Sequence, residues 1–402
     1  MINRLLLISG LIVTPFIVMS NCDSREPKMA AALGFAIALG LAGVFNGLKA
    51  FKNKWILAFI GFLLINIFFC PKPEIVGAYW TWESLSKILI FFLMFLGISS
   101  MKMSGEERLT VVKTMVFCGL IMSVYAIGQW FGYDQFFAVK LDNPAAVHTT
   151  NYLVGGSMGH PTILAAFIVM IIPLAIYIKK YWMAAIMLVA VILTKSDIAL
   201  GSLFASGIFY IGLRNKKTAI ITAVSSAIIV ALAVTAYINT PLKKYVSDSG
   251  RFAMWADVIA DVNNPMHSTL TDTYPWTGFG IGSFKYIYPV KNANIWYQAH
   301  NEYLEILYNT GIIGLFLFMM GWIGLICGHR LFTDTFPKVL LTSFFCISVC
   351  AGGTFPWQLG AHAYYTITIL GLLNQGEKSE HKSGDHESRT SRAWCFEYRL
   401  AN

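Results

Sequence analysis

The chain has 402 residues, of which 56% are hydrophobic and only 13% carry a charge. A soluble globular protein has about 25% charged residues, so this composition excludes an ordinary soluble domain and predicts an all-α integral membrane protein. The formal net charge is +9. Because no basic cluster interleaved with aromatic residues occurs, we expect no nucleic-acid partner and interpret the positive charge as a topology signal.

Apolar runs that suit membrane-spanning helices recur about twelve times along the chain. The first run follows Arg4 and is not followed by a small-x-small cleavage site, so a transmembrane helix is favoured over a signal peptide. The predicted spans lie at about 5–20, 29–47, 55–70, 85–100, 109–131, 158–178, 181–194, 197–213, 217–237, 306–327, 337–352 and 357–373.

Basic residues follow nearly every even-numbered span. They predict that these loops and both termini are cytoplasmic, in a multi-pass membrane protein. The residues are Lys49, Lys52 and Lys54 after the second span, Lys102 and Arg108 after the fourth, Lys179 and Lys180 after the sixth, Arg214, Lys216 and Lys217 after the eighth, and Arg330 and Lys338 after the tenth.

One long loop, 238–305, separates predicted spans 9 and 10 and is expected to be periplasmic. It is rich in tryptophan and tyrosine, which is typical of a segment that lies at the lipid headgroups or contacts a sugar. Loops this long are usually functional or disordered, and the aromatic content favours function. We therefore predict one polytopic transmembrane domain, 1–373, whose active site lies in this loop, and a disordered cytoplasmic tail, 374–402.

No motif for binding a nucleotide triphosphate occurs in the sequence setting that it requires. The free energy for any reaction would therefore come from the substrate itself. The segment "GFGIGSF" (278–284) has glycines at the spacing of a phosphate loop but is more simply a turn. The cysteines form no C-x-x-C pair, and the histidines have no carboxylates at ligand spacing. We expect neither a metal nor a cofactor.

Two places in the long loop have candidate catalytic residues. The first is "SDSGRFAMWADVI", with Arg251 and Trp255 four residues apart on a predicted helix. Arginine suits a phosphate or diphosphate, because its planar fork makes bidentate, charge-assisted hydrogen bonds. The alternative is a solvated surface arginine or one that pairs with lipid headgroups.

The second place is "AHNEYLEILYNTGIIGLFLF", where polar residues precede an apolar run. If Asn301 caps the helix, His300 lies at its N-terminus, where the dipole disfavours the imidazolium and favours a neutral general base. Glu302 and Glu305 would raise its pKa instead, and the sequence does not decide between the two influences. The alternative is an interfacial histidine that anchors a helix end.

Further basic residues are candidates for substrate binding. His160 lies beside Pro161 at the outer end of a predicted helix and could line the same cavity as Arg251. Lys195, in the short outer loop "LTKSDIAL", could face that cavity or form a local ion pair of little energetic value. Lys244 lies in the long loop, and we group it with Asn301, Glu302 and Trp255 as a predicted substrate-binding residue.

Several segments resemble the O-antigen ligase and O-antigen polymerase superfamily. In "HNEYLEILYNTGIIG", His300 and Asn301 are followed by nine residues and then by Gly311 and Gly314, as in the family signature. "SGRFAMWADVI", "PWTGFGIGSFKYIYP" and "MGHPTILAAFIVMIIPLAI" are similar to further family segments and keep the family's order. The resemblance covers about 155–320.

This resemblance implies a membrane glycosyltransferase that passes a glycan from undecaprenyl diphosphate to a hydroxyl of an acceptor sugar at the periplasmic face. The family uses no nucleotide sugar and no metal. Arg251 would hold the diphosphate, and His300 would activate the acceptor or support the departing phosphate. Many relatives have an arginine where this chain has Asp197, so phosphate binding there depends on Lys195.

The acceptor remains open. A ligase that transfers to lipid A–core is favoured over a polysaccharide polymerase or a protein O-oligosaccharyltransferase of the same superfamily. A flippase or transporter for lipid-linked glycans would also have about twelve helices, and we would expect charges along its central cavity. Most of the predicted helices here are free of charge and the polar residues gather in outer loops, which favours the enzyme.

Overall fold

A computed structural model describes residues 2–18, 25–45, 53–69, 78–133, 154–213, 251–263, 275–292, 297–327 and 334–375, with residues 217, 218, 221 and 225. This part of the chain forms thirteen α-helices, two short 3-10 helices and no strands. The helices are α1 (Ile2–Phe16), α2 (Arg25–Phe45), α3 (Lys54–Phe69), α4 (Ala78–Ser100), α5 (Gly105–Trp130), α6 (Pro161–Tyr177), α7 (Tyr181–Leu193), α8 (Asp197–Gly212), α9 (Arg251–Asn263), α10 (Ser283–Asn292), α11 (Glu302–Cys327), α12 (Thr335–Cys350) and α13 (Gly360–Asn374).

The all-helical prediction is confirmed for the described residues, and eleven of the predicted spans coincide with α1–α8 and α11–α13. Most of the ninth predicted span lies outside the described residues. Lys244 and the tail from 376 onward also lie outside them. Within the predicted loop 238–305, the chain forms two further helices, α9 and α10. Within the part of the chain that the structure describes, four helices are long and apolar enough to cross a membrane: Arg25–Phe45, Thr81–Ser100, Gly105–Trp130 and Glu302–Gly324.

Helix α6 lies at the centre of the bundle, with α5, α7, α8 and α12 packed around it. Its residues are apolar on every side and nearly all are buried, as expected for a helix that contacts neighbours all round. The peripheral helices instead carry large apolar side chains on their exposed faces, and Phe45 and Phe204 are 88% and 72% exposed. These features are typical of a multi-pass membrane protein.

Helix α11 is interrupted at Gly311, whose φ of 66° and ψ of −170° are accessible almost only to glycine. The glycine-rich segment 275–282 inserts at this break and pairs with the backbone groups that the break leaves open. Four hydrogen bonds join the two: Ile312 N to Pro275 O (2.9 Å), Ile313 N to Trp276 O (3.1 Å), Phe279 N to Tyr308 O (2.8 Å) and Gly280 N to Asn309 O (2.8 Å).

Two glycines make this junction possible. A Cβ atom built on Gly278 would lie 2.4 Å from the Gly311 nitrogen, and one built on Gly311 would lie 2.4 Å from the Trp276 carbonyl carbon. Gly311, a glycine of the family signature, therefore allows two backbone segments to approach each other closely. Gly314 does face a neighbouring helix, because a Cβ there would lie 3.1 Å from the Phe62 ring.

A cluster of buried apolar side chains fixes α9 and α10 against the first half of α11. The rings of Phe279 and Tyr308 stack at 4.2 Å, and Phe284 stacks on Tyr288 at 4.9 Å. Met254, Val258 and Val262 from α9 belong to the same cluster. This packing holds α9, and with it Arg251, beside the start of α11.

Candidate active site

The first residues of several helices converge on one cavity of about 260 Å³. Arg25 opens α2, Arg251 opens α9, His160 precedes α6 and His300 lies just before α11. No carboxylate is among the described residues that line this basic cavity. The lining residues are Arg25, Met158, Gly159, His160, Thr162, Ile163, Arg251, Gln298, His300, Thr354 and Phe355.

His160 is held by its role as the N-cap of α6. Its Nδ1 accepts a hydrogen bond from the Thr162 backbone N–H at 3.3 Å, and Pro161 occupies the first helical position, where the missing N–H has no cost. The cap fixes the imidazole at the wall of the cavity. His160 therefore lies with Arg251 and His300, as the sequence analysis suggested.

His300 has a φ of 49°, which is uncommon for a residue other than glycine. The surrounding residues hold this conformation. The Trp255 indole donates to the Ala299 carbonyl at 2.7 Å, and the Glu305 carboxylate accepts from the Ala299 N–H at 3.1 Å. The Phe355 ring stands edge-on to the imidazole at 5.0 Å.

Asn301 fixes the other side of His300. Its side-chain oxygen accepts from the backbone N–H groups of Tyr303 and Leu304 at 3.1 and 3.2 Å, the pattern of a helix N-cap. The side-chain oxygen of Asn301 thus binds backbone N–H groups of the protein itself. His300 therefore lies between this cap and Ala299, whose backbone carbonyl and N–H are both hydrogen-bonded to side chains.

The buried Glu302 carboxylate joins α11 to the segment before α13. It accepts from the Trp357 backbone N–H at 2.9 Å and from the Gln358 side-chain amide at 3.2 Å. The Glu302 N–H also donates to the Ala351 carbonyl at 2.9 Å. Residues 354 and 355 of this segment line the basic cavity, so Glu302 supports the wall opposite α9.

Burial and neighbouring positive charge keep His300 neutral. Burial and then Arg251, with smaller effects from His160 and Arg25, lower the pKa of His300 from 6.5 to about 4. The same causes, burial first, lower the pKa of His160. The influence that the sequence analysis expected from Glu302 and Glu305 does not prevail, so near neutral pH the His300 imidazole is unprotonated and can accept a proton.

The remaining predicted residues lie elsewhere. Lys195 is not among the described residues that line the basic cavity, and its ammonium lies over the Trp130 ring, 5.6 Å from the centroid. Trp255, Asn301 and Glu302 support the cavity through hydrogen bonds rather than forming its lining. Sequence reasoning missed Arg25, although an arginine at the first position of a helix is a signal, because the dipole disfavours a cation there.

A second cavity, the apolar groove, has a volume of about 350 Å³ and adjoins the first. Its walls come mainly from α3, α4, α11 and α13, and Gln298 lines both cavities. One end is polar, and there Lys285, Glu302, Glu305 and Gln358 line the space. The remainder is lined mostly by aliphatic and aromatic side chains, which include Phe59, Leu63, Phe92, Phe95, Ile306 and Phe318.

Fold and cavities together define a class, namely a helical, multi-pass membrane protein with a basic, histidine-containing cavity beside an apolar groove. Residues 182–319 match the sequence model of a family described as O-antigen ligase. The match confirms the resemblance found in the sequence: residues 182–319 are similar to the O-antigen ligase and polymerase superfamily.

The matched segment runs from α7 to α11 and contains Arg251 and His300, whereas Arg25 and His160 precede it. The family supports a ligase- or polymerase-type membrane glycosyltransferase that uses a lipid-linked glycan and a glycan acceptor. No protein of curated function matches the chain.

Proposed function

We propose that the chain transfers a glycan from undecaprenyl diphosphate to a sugar hydroxyl of lipid A–core, as an O-antigen ligase of the bacterial inner membrane. The observation that carries this proposal is the basic cavity, where a neutral His300 and the Arg251 guanidinium lie together and where no carboxylate is among the described lining residues. Such a space suits a doubly charged leaving group and a hydroxyl that must lose a proton.

The leaving group explains the need for positive charge. A bridging diphosphate carries a negative charge on each phosphate and gains another when its bond to the sugar breaks. Arginine stabilises that charge through bidentate hydrogen bonds and stays protonated at any relevant pH. Arg251 therefore contributes most in the transition state, where the developing charge is largest.

The reaction assigns the proton to His300. The acceptor oxygen attacks the anomeric carbon and forms the new C–O bond, while the bond from that carbon to the diphosphate oxygen breaks with its electron pair. The hydroxyl proton passes to an imidazole nitrogen of His300 and then to water or to the departing diphosphate. The products are the extended glycan and undecaprenyl diphosphate, and no nucleotide, metal or cofactor enters the balance.

The apolar groove supports a lipid-linked donor. The polar residues Lys285, Glu302 and Glu305 lie at the end of the groove that includes Gln298, and the apolar lining continues along α11 as far as Trp322. These residues extend over most of the segment Glu302–Gly324, which is long and apolar enough to cross a membrane. An isoprenoid chain suits such a groove.

The direction of the helices supports a periplasmic site. Helices α2, α6, α11 and α13, which begin at or near the basic cavity, correspond to predicted spans 2, 6, 10 and 12. All have even numbers, so twelve alternating crossings place their beginnings on one side. At the opposite end of α6 lie Lys179 and Lys180, and the positive-inside rule then assigns the cavity to the periplasm and both termini to the cytoplasm.

The test is transfer by the purified chain in lipid nanodiscs. The chain receives an undecaprenyl-diphosphate glycan with lipid A–core as the acceptor, and products are followed by mass spectrometry. We expect glycosylated lipid A–core and free undecaprenyl diphosphate. Longer donor chains without lipid A–core product would indicate the polymerase, and movement of the donor between leaflets of proteoliposomes without new bonds would indicate the flippase.

A matched pair of variants on α9 assigns the activity to the basic cavity. Arg251→Gln removes the guanidinium and should abolish transfer, whereas Asp257→Asn changes an exposed residue on the same helix and should preserve it. Equal transfer by Arg251→Gln and the wild-type chain, both correctly inserted in the membrane, would refute the site assignment.

A further inference from the structure

The basic cavity contains a second guanidinium that the matched family segment does not include. Arg25 opens α2, far from residues 182–319 in the chain, and it lines the cavity together with Arg251 and the two histidines. Its positive charge acts on both imidazoles, which places it within electrostatic reach of each. We propose that Arg25 and Arg251 together bind the diphosphate of the donor, with one guanidinium assigned to each phosphate.

The start of α2 is held firmly enough for this role. The Lys28 ammonium donates to the Ile17 carbonyl at 2.6 Å and so joins the beginning of α2 to the end of α1. Gly360, the first residue of α13, lies against the same turn, because a Cβ atom there would be 2.4 Å from the Lys28 carbonyl oxygen. Arg25 thus extends from a turn packed against the helix that follows Thr354 and Phe355.

The charge of the ligand requires more than one cation. Two phosphates bring at least two negative charges into a partly buried space, where an unpaired charge is costly. His300, with its lowered pKa, carries no positive charge near neutral pH, and no carboxylate lines the cavity among the described residues. Arg251 can neutralise only part of the ligand, and Arg25 is the other permanent cation in this lining.

The helix dipole does not favour an arginine at this position. The N-terminal end of a helix carries partial positive charge, so a cation in the first turn is disfavoured and an anion is favoured. Glu26 meets that preference, whereas Arg25 opposes it. Binding an anion in the cavity is a physical reason for accepting the unfavourable placement.

Lys195 was the other basic candidate for this cavity in the sequence. The Lys195 ammonium instead lies over Trp130 and does not line the basic cavity. The second cation is therefore supplied from the start of α2.

The inference rests on the proposed function, and its test separates the two. Purified chain in nanodiscs is titrated calorimetrically with farnesyl diphosphate and, separately, with farnesyl monophosphate. The wild-type chain should bind the diphosphate more tightly. Arg25→Gln should weaken diphosphate binding by about ten- to a hundredfold, the range for a charge-assisted hydrogen-bonded contact, and should leave monophosphate binding within about threefold of wild type.

Two further variants complete the experiment. Arg25→Lys keeps the charge without the planar fork and should give an intermediate loss, and Glu26→Gln, the adjacent exposed residue, should behave as wild type. Equal diphosphate affinity in Arg25→Gln and wild type overturns the role of Arg25 alone. Equal weakening of both ligands, with a lower unfolding temperature, assigns Arg25 to the fold and also overturns it. A wild-type chain that binds no diphosphate overturns the proposed function as well.

Discussion

The two cavities share Gln298 but are built from different parts of the helices. The basic cavity is formed where helices begin, and its polar groups come from residues in caps and first turns, such as Arg25, His160 and Arg251. The apolar groove is formed mainly by the sides of helices, and most of its lining is aliphatic or aromatic.

This difference separates two tasks that a glycosyltransferase with a lipid-linked donor must perform. Charge recognition and proton transfer require a few side chains in fixed directions, which helix caps and buried hydrogen bonds provide. Recognition of a hydrocarbon chain requires apolar surface of sufficient length and little directional precision. We therefore expect loss of His300 or Arg251 from the basic cavity to lower kcat, and variants of the groove to raise KM.

The largest effect is expected for His300→Asn. Asparagine tolerates a positive φ better than most residues, so the backbone should be preserved while the imidazole is lost. Because a general base contributes typically about 100- to 10,000-fold, kcat for glycan transfer should fall by that factor with donor binding retained. Initial rates and donor titrations measure both quantities. A variant with wild-type kcat would remove His300 from the chemistry.

Gly311→Ala should damage the apolar groove, because the segment inserted at this break carries Ile281 and Gly282 of its lining. The backbone conformation alone should cost about 1–3 kcal/mol, and the new Cβ would lie 2.4 Å from the Trp276 backbone. We expect a lower unfolding temperature in detergent and loss of transfer. Gly207→Ala is the matched control, since a Cβ there meets nothing within 4 Å.

Ile306→Trp should narrow the groove without touching the basic cavity. The larger side chain competes with the isoprenoid chain, and we expect KM for the undecaprenyl donor to rise about tenfold, equivalent to about 1.4 kcal/mol. The kcat value should change little, and a farnesyl-linked donor should be affected less. Ile313→Trp, on an exposed face of the same helix, is the control. An unchanged KM would separate the groove from donor binding.

The two cavities also differ in how far the sequence predicts them. Hydropathy alone located eleven helices, and the family motifs pointed to His300 and Arg251. Both predictions were possible because a hydrophobic run or a motif is formed by residues that are close together in the chain. Arg25 joins them only through the packing of α2 against α1 and α13, a contact between distant residues. The sequence could not decide the protonation of His300 either, since burial and charges from other segments set its pKa. The sequence could not decide the position of Lys195 either. It was predicted to bind substrate, but its ammonium lies over the Trp130 ring.

The smallest effect concerns pH. In the free protein, the pKa of His300 is about 4, so the neutral base is present above that pH and is lost as the pH falls through it. A bound diphosphate brings negative charge to Arg251 and Arg25, offsets their positive charge and stabilises the imidazolium. The pKa of His300 should therefore rise in the donor complex, towards the range in which a general base is effective.

Kinetics can separate the two states, because kcat/KM reports the free enzyme and kcat reports the substrate complex. We expect the acidic limb of kcat to lie at higher pH than that of kcat/KM, by about one unit or more. Arg251→Lys keeps the charge and should preserve the order of the two limbs. Coincident limbs would mean that the ligand's charge does not reach His300, and the diphosphate would then have to lie outside the basic cavity.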